Sequence, residues 1–138
     1  MKYRFLQVLY PFFAIPFFIG CTASVPDQYA KVDEQPIVYP PYSDIAIPYN
    51  IAPLNFAYEM DADCFVTELK AGEHSLVMKG RNTDWNLRSW HKFLESAKGM
   101  SIEVNTYAKS DKGWVKYSPM SWFVAEQEVD PYISYRII

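Results

Sequence analysis

Cys64-Phe65-Val66-Thr67-Glu68-Leu69-Lys70-Ala71-Gly72-Glu73-His74-Ser75-Leu76-Val77-Met78-Lys79 is the stretch on which the fold turns. Two runs, 64–70 and 75–79, flank Ala71-Gly72-Glu73-His74, and the arrangement predicts a β-hairpin with a four-residue loop. Upstream, Phe56, Tyr58 and Met60 alternate with Ala57 and Glu59, the period-two pattern of a strand with one buried face. Downstream, 101–109 alternates at Ile102, Val104 and Thr106 against Glu103 and Asn105. Its expected partner is 114–117, joined through Ser110-Asp111-Lys112-Gly113, where glycine can take the positive φ of a tight loop. Two further short strands are expected over 122–125 and 132–137.

One helix interrupts the strands. Asn82, Thr83 or Asp84 can cap its start, and Gly99 suits the left-handed position after its end. Between them Leu87, Trp90, Leu94 and Ala97 recur at three- and four-residue spacing, and Phe93 widens that apolar stripe. Lys92, Glu95, Ser96 and Lys98 form the wet side. The fold class is mainly β (α+β), a small antiparallel sheet or sandwich with one covering helix.

The N-terminus reads as an address. Lys2 and Arg4 precede an apolar run over 5–19 that ends at Gly20-Cys21, the layout of a secretory signal. The run of about fifteen residues falls short of the ~20 a spanning helix needs, and Pro11 and Pro16 interrupt it. Phe18-Ile19-Gly20-Cys21 resembles a bacterial lipobox, with Phe18 where that motif usually carries leucine. The resemblance implies that residues 1–20 are a lipoprotein signal peptide and that the Cys21 thiol is acylated. An ordinary secreted leader and a retained membrane anchor are the alternatives. Thr22-Ala23-Ser24-Val25 lacks the acidic cluster that resembles the Bacteroidetes surface-export signal, which favours the periplasmic side of the outer membrane.

Proline sets the next division. Pro26, Pro36, Pro40, Pro41, Pro48 and Pro53 each remove a backbone donor and fix φ, so residues 21–53 are expected to be a semi-rigid tether without a regular ladder. Ile37, Val38, Tyr42, Ile45, Ile47 and Ile51 make its second half apolar enough to pack along the body it leads to. Residues 54–138 form the β-rich domain. The segment Tyr132-Ile133-Ser134-Tyr135-Arg136-Ile137-Ile138 finishes on bare aliphatics, and the expectation is a domain incomplete at its C-terminus.

Composition narrows the function classes. Without residues 1–20 the chain has 118 residues, with 11 basic and 16 acidic side chains and a formal net charge of −5. An acidic chain has no electrostatic footprint for DNA or RNA, so no nucleic-acid partner is expected. With Cys21 acylated, Cys64 has no intrachain partner and reads as a small hydrophobe. His74 and His91 lack paired metal-ligand spacing. Glu59, Asp61 and Asp63 could hold calcium but do not follow an EF-hand spacing, and read better as a solvated turn. Glu126, Glu128 and Asp130 read as a charged edge or loop. A nucleophile elbow, a phosphate-binding glycine loop, a dinucleotide fingerprint and a Cys-x-x-Cys-His segment are all missing from the sequence. No catalytic residue, metal or cofactor is expected. Trp85 and Trp90 fall on the helix, and Trp90 belongs to its apolar stripe. Trp114, which alternates with Lys116, and Trp122 are the candidates for stacking on a sugar ring.

Two strings carry a family resemblance. One is Tyr39-Pro40-Pro41-Tyr42-Ser43-Asp44 followed by Ile47-Pro48-Tyr49-Asn50-Ile51-Ala52-Pro53-Leu54-Asn55-Phe56. The other is Glu126 followed by Val129-Asp130-Pro131-Tyr132-Ile133-Ser134-Tyr135-Arg136-Ile137. Together they resemble the N-terminal region of large Bacteroidetes envelope proteins described as TolB-like translocation proteins, also labelled cytochrome c biosynthesis proteins. The similarity runs from about Tyr39 to the last residue. In those proteins the chain continues into a Cys-x-x-Cys-His-type segment and β-propeller repeats, and neither is in this sequence. The resemblance implies a lipid-anchored docking or scaffold domain without catalysis, partnered by the membrane and by an envelope protein. It supplies no active-site residue. A carbohydrate-binding module that uses exposed Trp and Tyr on a glycan is the alternative.

Overall fold

A computed structural model of the chain describes residues 23–130. The signal peptide expected over 1–20, Cys21 and the strand expected over 132–137 lie outside them. The elements are β1 (Ala30–Lys31), β2 (Val38–Tyr39), β3 (Ile45–Pro48), β4 (Ala57–Tyr58), β5 (Cys64–Ala71), β6 (His74–Lys79), α1 (Leu87–Ser96), β7 (Ser101–Ser110), β8 (Gly113–Lys116) and β9 (Met120–Ala125). The fold is mainly β with one helix.

The hairpin forms, with a tighter turn than its sequence suggests. β5 and β6 pair from Val66↔Lys79 to Ala71↔His74, which leaves Gly72 and Glu73 as a two-residue connection rather than a loop of four. Ala71 is fully buried, so the ladder gains by running one pair further. Gly72 supplies the positive φ of 57° that the reversal needs. β7 pairs antiparallel with β5 over Cys64↔Lys109 to Lys70↔Glu103. The other edge of this ten-residue strand is shared. β8 takes its C-terminal half, and β9 takes its N-terminal half.

The proline-rich segment departs most from expectation. It contributes β1, β2 and β3, and two of these join the main sheet in parallel, β1 on β8 and β3 on β9. The sheet is therefore mixed rather than antiparallel, and β2 pairs with β4 in a separate two-stranded sheet. A ladder is possible because the prolines fall between or at the ends of short strands, as Pro48 ends β3. Val38 and Ile47 are buried, which ties this segment to the core.

The core lies on one face of the main sheet. Phe65, Leu69, Ile102, Val104, Met120, Trp122 and Val124 pack beneath Trp90, Phe93 and Leu94 of α1, and beside Phe56 and Tyr58. The helix starts later than expected. Asn86 is the N-cap, and its Oδ1 accepts from the Ser89 amide at 3.2 Å. Asn82 and Thr83 are used elsewhere. Asn82 bridges to Ala57, and the Thr83 hydroxyl accepts from the Phe56 amide at 2.8 Å. Leu87, the first helical residue, is exposed, so the buried stripe begins at Trp90.

Candidate functional site

The opposite face of the sheet carries the polar and aromatic residues. Strand alternation places Glu103, Asn105, Tyr107 and Lys109 of β7 there. Register adds Val66, Glu68 and Lys70 from β5, Lys79 from β6, and Trp114 and Lys116 from β8. Lys31 of β1 lies directly beside Lys116. One row, Lys79–Val66–Tyr107–Lys116–Lys31, crosses five strands.

At the centre of this face Glu68 accepts from Asn105 Nδ2 at 3.2 Å and from the Tyr107 hydroxyl at 3.4 Å. Asn105 and Tyr107 are buried, and Asn105 Oδ1 has no hydrogen-bond partner among the described residues. Burial, followed by the Glu68 charge, pushes the Tyr107 hydroxyl well above the usual tyrosine range, so it stays a neutral donor. Tyr29 packs edge-on against Tyr107, with ring centroids 5.2 Å apart. The Lys116 ammonium sits 5.5 Å from the Tyr107 ring and 6.0 Å from that of Tyr29. Lys109 sits 6.0 Å from the Trp114 ring. Chemically the face offers cations, aromatic surface and a satisfied carboxylate, a set suited to binding.

The two tryptophans proposed for stacking are separated by the sheet. Trp114 is half-buried on the polar face. Trp122 pairs with Ile102, which turns it into the core, where it is 0% exposed and its Nε1 donates to Tyr42 O at 2.5 Å. Trp90 and Phe56 pack edge-on against it. Trp122 therefore cannot meet a ligand, which overturns the expectation that it stacks on a sugar ring. Trp85 and Trp90 are buried as well. Glu68, Asn105 and Tyr107 were not singled out from sequence, although the alternation of β7 marks their common face. Tyr29 carries no such signal, because only the β1–β8 pairing brings it there.

Three other places on the molecule gather polar or reactive side chains. A groove of about 490 Å³ between α1 and β6 has Leu76 and Phe93 beneath His74, Lys92 and Glu95. The acidic corner at Asp61, Asp63 and Asp111 already holds a cation, Arg81, whose guanidinium donates to the carbonyls of Tyr58 and Met60. Cys64 is half-buried and has no disulfide partner among the described residues. Among the described residues no three His, Cys, Asp or Glu side chains converge as a metal site, and no helix is long and apolar enough to cross a membrane. Comparison of the chain with known protein families, with curated proteins and with solved structures finds no match.

Proposed function

We propose that this chain is a lipid-anchored docking or scaffold domain of the bacterial cell envelope, held at the periplasmic side of the outer membrane and without catalysis of its own. It would serve as the N-terminal domain of a TolB-like protein. The observation that carries the reading is the order Lys2, Arg4, the apolar run and Gly20-Cys21. The fold is compatible with it. β1 begins nine residues after Cys21, a distance of roughly 30 Å at full extension. An acylated Cys21 would thus hold the sheet edge close to the bilayer. Metabolic labelling with palmitate tests the anchor: wild type takes up label, and Cys21→Ser does not. Label persisting on the serine variant would refute acylation at this residue.

A carbohydrate-binding role is the second reading, favoured by one arrangement. Trp114 remains partly open on the same face as Tyr29 and Tyr107. Base-plane stacking of a sugar on Trp114 predicts retention on an insoluble glycan, tested with chitin and with peptidoglycan sacculi, and loss of retention in Trp114→Ala. Wild type that passes through both materials unretained ends this reading.

A further inference from the structure

Charge is distributed very unevenly over the sheet. Residues 23–130 contain ten Lys and Arg and all sixteen Asp and Glu of the chain. Five of the ten cations, Lys31, Lys70, Lys79, Lys109 and Lys116, share the face opposite the core, where the paired strands place two carboxylates, Glu68 and Glu103. Lys70 stands directly across from Glu103, and Glu68 already accepts from Asn105 and Tyr107. Asp33 lines one pocket with Lys31 and Lys116, yet none of the five lysines forms an ion pair among the described residues. Lys31 and Lys116 are nearest neighbours in register, a like-charge arrangement that disfavours pairing and that an anionic surface would offset. In a chain of net negative charge, such a face is a local exception.

Aromatic residues on the same face point to the nature of that partner. Trp114 is half-open beside Lys109, and Phe123 of β9, on this face through its pairing with Ser101, is 46% exposed. Lysines interspersed with Trp and Phe match an interface of headgroups above acyl chains. We infer that this sheet face lies on an anionic bilayer surface, with the lysines against lipid phosphates and Trp114 and Phe123 at the headgroup boundary. The inference rests in part on the anchor reading, since acyl chains on Cys21 would deliver the β1 edge, and Lys31 with it, to the membrane. Acyl chains and a basic patch together hold a protein more firmly than either alone.

The test uses the full lipidated chain in phosphatidylcholine vesicles, with or without phosphatidylglycerol, that contain a doxyl-labelled quencher lipid. Because Trp85, Trp90 and Trp122 are buried, quenching reports Trp114. Strong quenching is expected only with phosphatidylglycerol at low salt, and it should vanish at high salt as the charges are screened. Each lysine near an anionic surface is worth roughly a fivefold change in occupancy, so Lys109→Gln with Lys116→Gln lowers it roughly twenty-five-fold. The matching Arg pair keeps it. Should the Gln pair disturb folding, Lys31→Gln with Lys79→Gln must give the same loss. Equal quenching with and without phosphatidylglycerol, or quenching indifferent to both Gln pairs, overturns the inference, as does retention on sacculi with no lipid quenching. Failure to float with pure phosphatidylcholine vesicles refutes the anchor alone. The face is then read from flotation with phosphatidylglycerol vesicles, which wild type must show and the Gln pair must lose.

Discussion

The hydroxyl of Tyr58 lies in the core between the hydroxyls of Thr67 at 2.7 Å and Thr106 at 3.0 Å. Burial raises its pKa more than these hydrogen bonds lower it, and Tyr107 is shifted the same way on the other face. A raised phenolic pKa means that the folded chain holds the proton more tightly than the unfolded chain. The stability this adds is complete below about pH 10, the unfolded value, and is lost as pH climbs through the folded ones. Urea midpoints are therefore expected to hold steady to about pH 9 and fall above about pH 10, less steeply in Tyr107→Phe than in wild type. An identical alkaline slope in the two proteins would count against Tyr107 as a source. The tryptophans give a second contrast. Trp122→Ala removes a fully buried side chain and should cost about 3–5 kcal/mol in denaturant unfolding, whereas Trp114→Ala should cost less than about 1 kcal/mol. Which of them was core could have been read from Met120, Trp122 and Val124, whose spacing of two puts them on one face. Taken as a single aromatic apart from that register, Trp122 carries no sign of its burial. Asn105 shows the converse limit, because no local pattern tells that its carbonyl oxygen will be buried without a partner.

At the scale of elements, competition for polar residues decided where the helix begins. Asn82, Thr83, Asp84 and Asn86 are all competent caps by residue type. The backbone of Phe56 claims Thr83 through three contacts, Phe56 N to Thr83 Oγ1 and Thr83 N to Phe56 O, both at 2.8 Å, and the Thr83 hydroxyl to Phe56 O at 3.2 Å. That long-range claim cannot be seen in the local sequence, although the helix itself and its Trp90, Phe93 and Leu94 stripe can. Thr83→Val keeps the shape but strands the Phe56 amide next to the core. The expected loss is about 1–3 kcal/mol, against about 1 kcal/mol for Asn86→Ala at the solvent-facing cap. Thermal or urea unfolding of the two variants ranks them, and an Asn86 variant more damaged than Thr83→Val would contradict this division of roles. The hairpin was legible for a related reason. Its alternation and Gly72 are local signals, while the exact loop length depended on whether Ala71 found a place inside.

For the whole molecule, the question is what residues 23–53 do. Proline content excludes a ladder only where a strand has to pass through the prolines. The strands here are two to four residues long and fit between the prolines or end on one, so a proline-rich segment still joins the sheet. Only the apolar residues of the segment hinted at this, through Val38 and Ile47, which are now buried, and Tyr42, whose carbonyl receives the Trp122 indole. The consequence can be tested by deletion. A spacer could be removed from the protein with little change in its unfolding. Removing 23–53 instead strips β3 from the edge of β9, takes the indole acceptor from Trp122, and discards two buried aliphatic side chains worth about 1.5–3 kcal/mol each. Together with the opened face over Trp122, that loss is comparable to the ~5–15 kcal/mol that holds a typical domain together. The deleted protein is expected to lose cooperative thermal unfolding and near-ultraviolet dichroism. Deleting only 23–28, which precedes every strand and makes no ladder pairing, should leave both intact. If the longer deletion unfolds at the wild-type temperature, the segment is a passenger and the sheet is complete without it. If it does not, the proposed anchor at Cys21 and the folded body would be joined by only the few residues between Cys21 and Ala30, and any partner would then approach the domain close to the lipid surface.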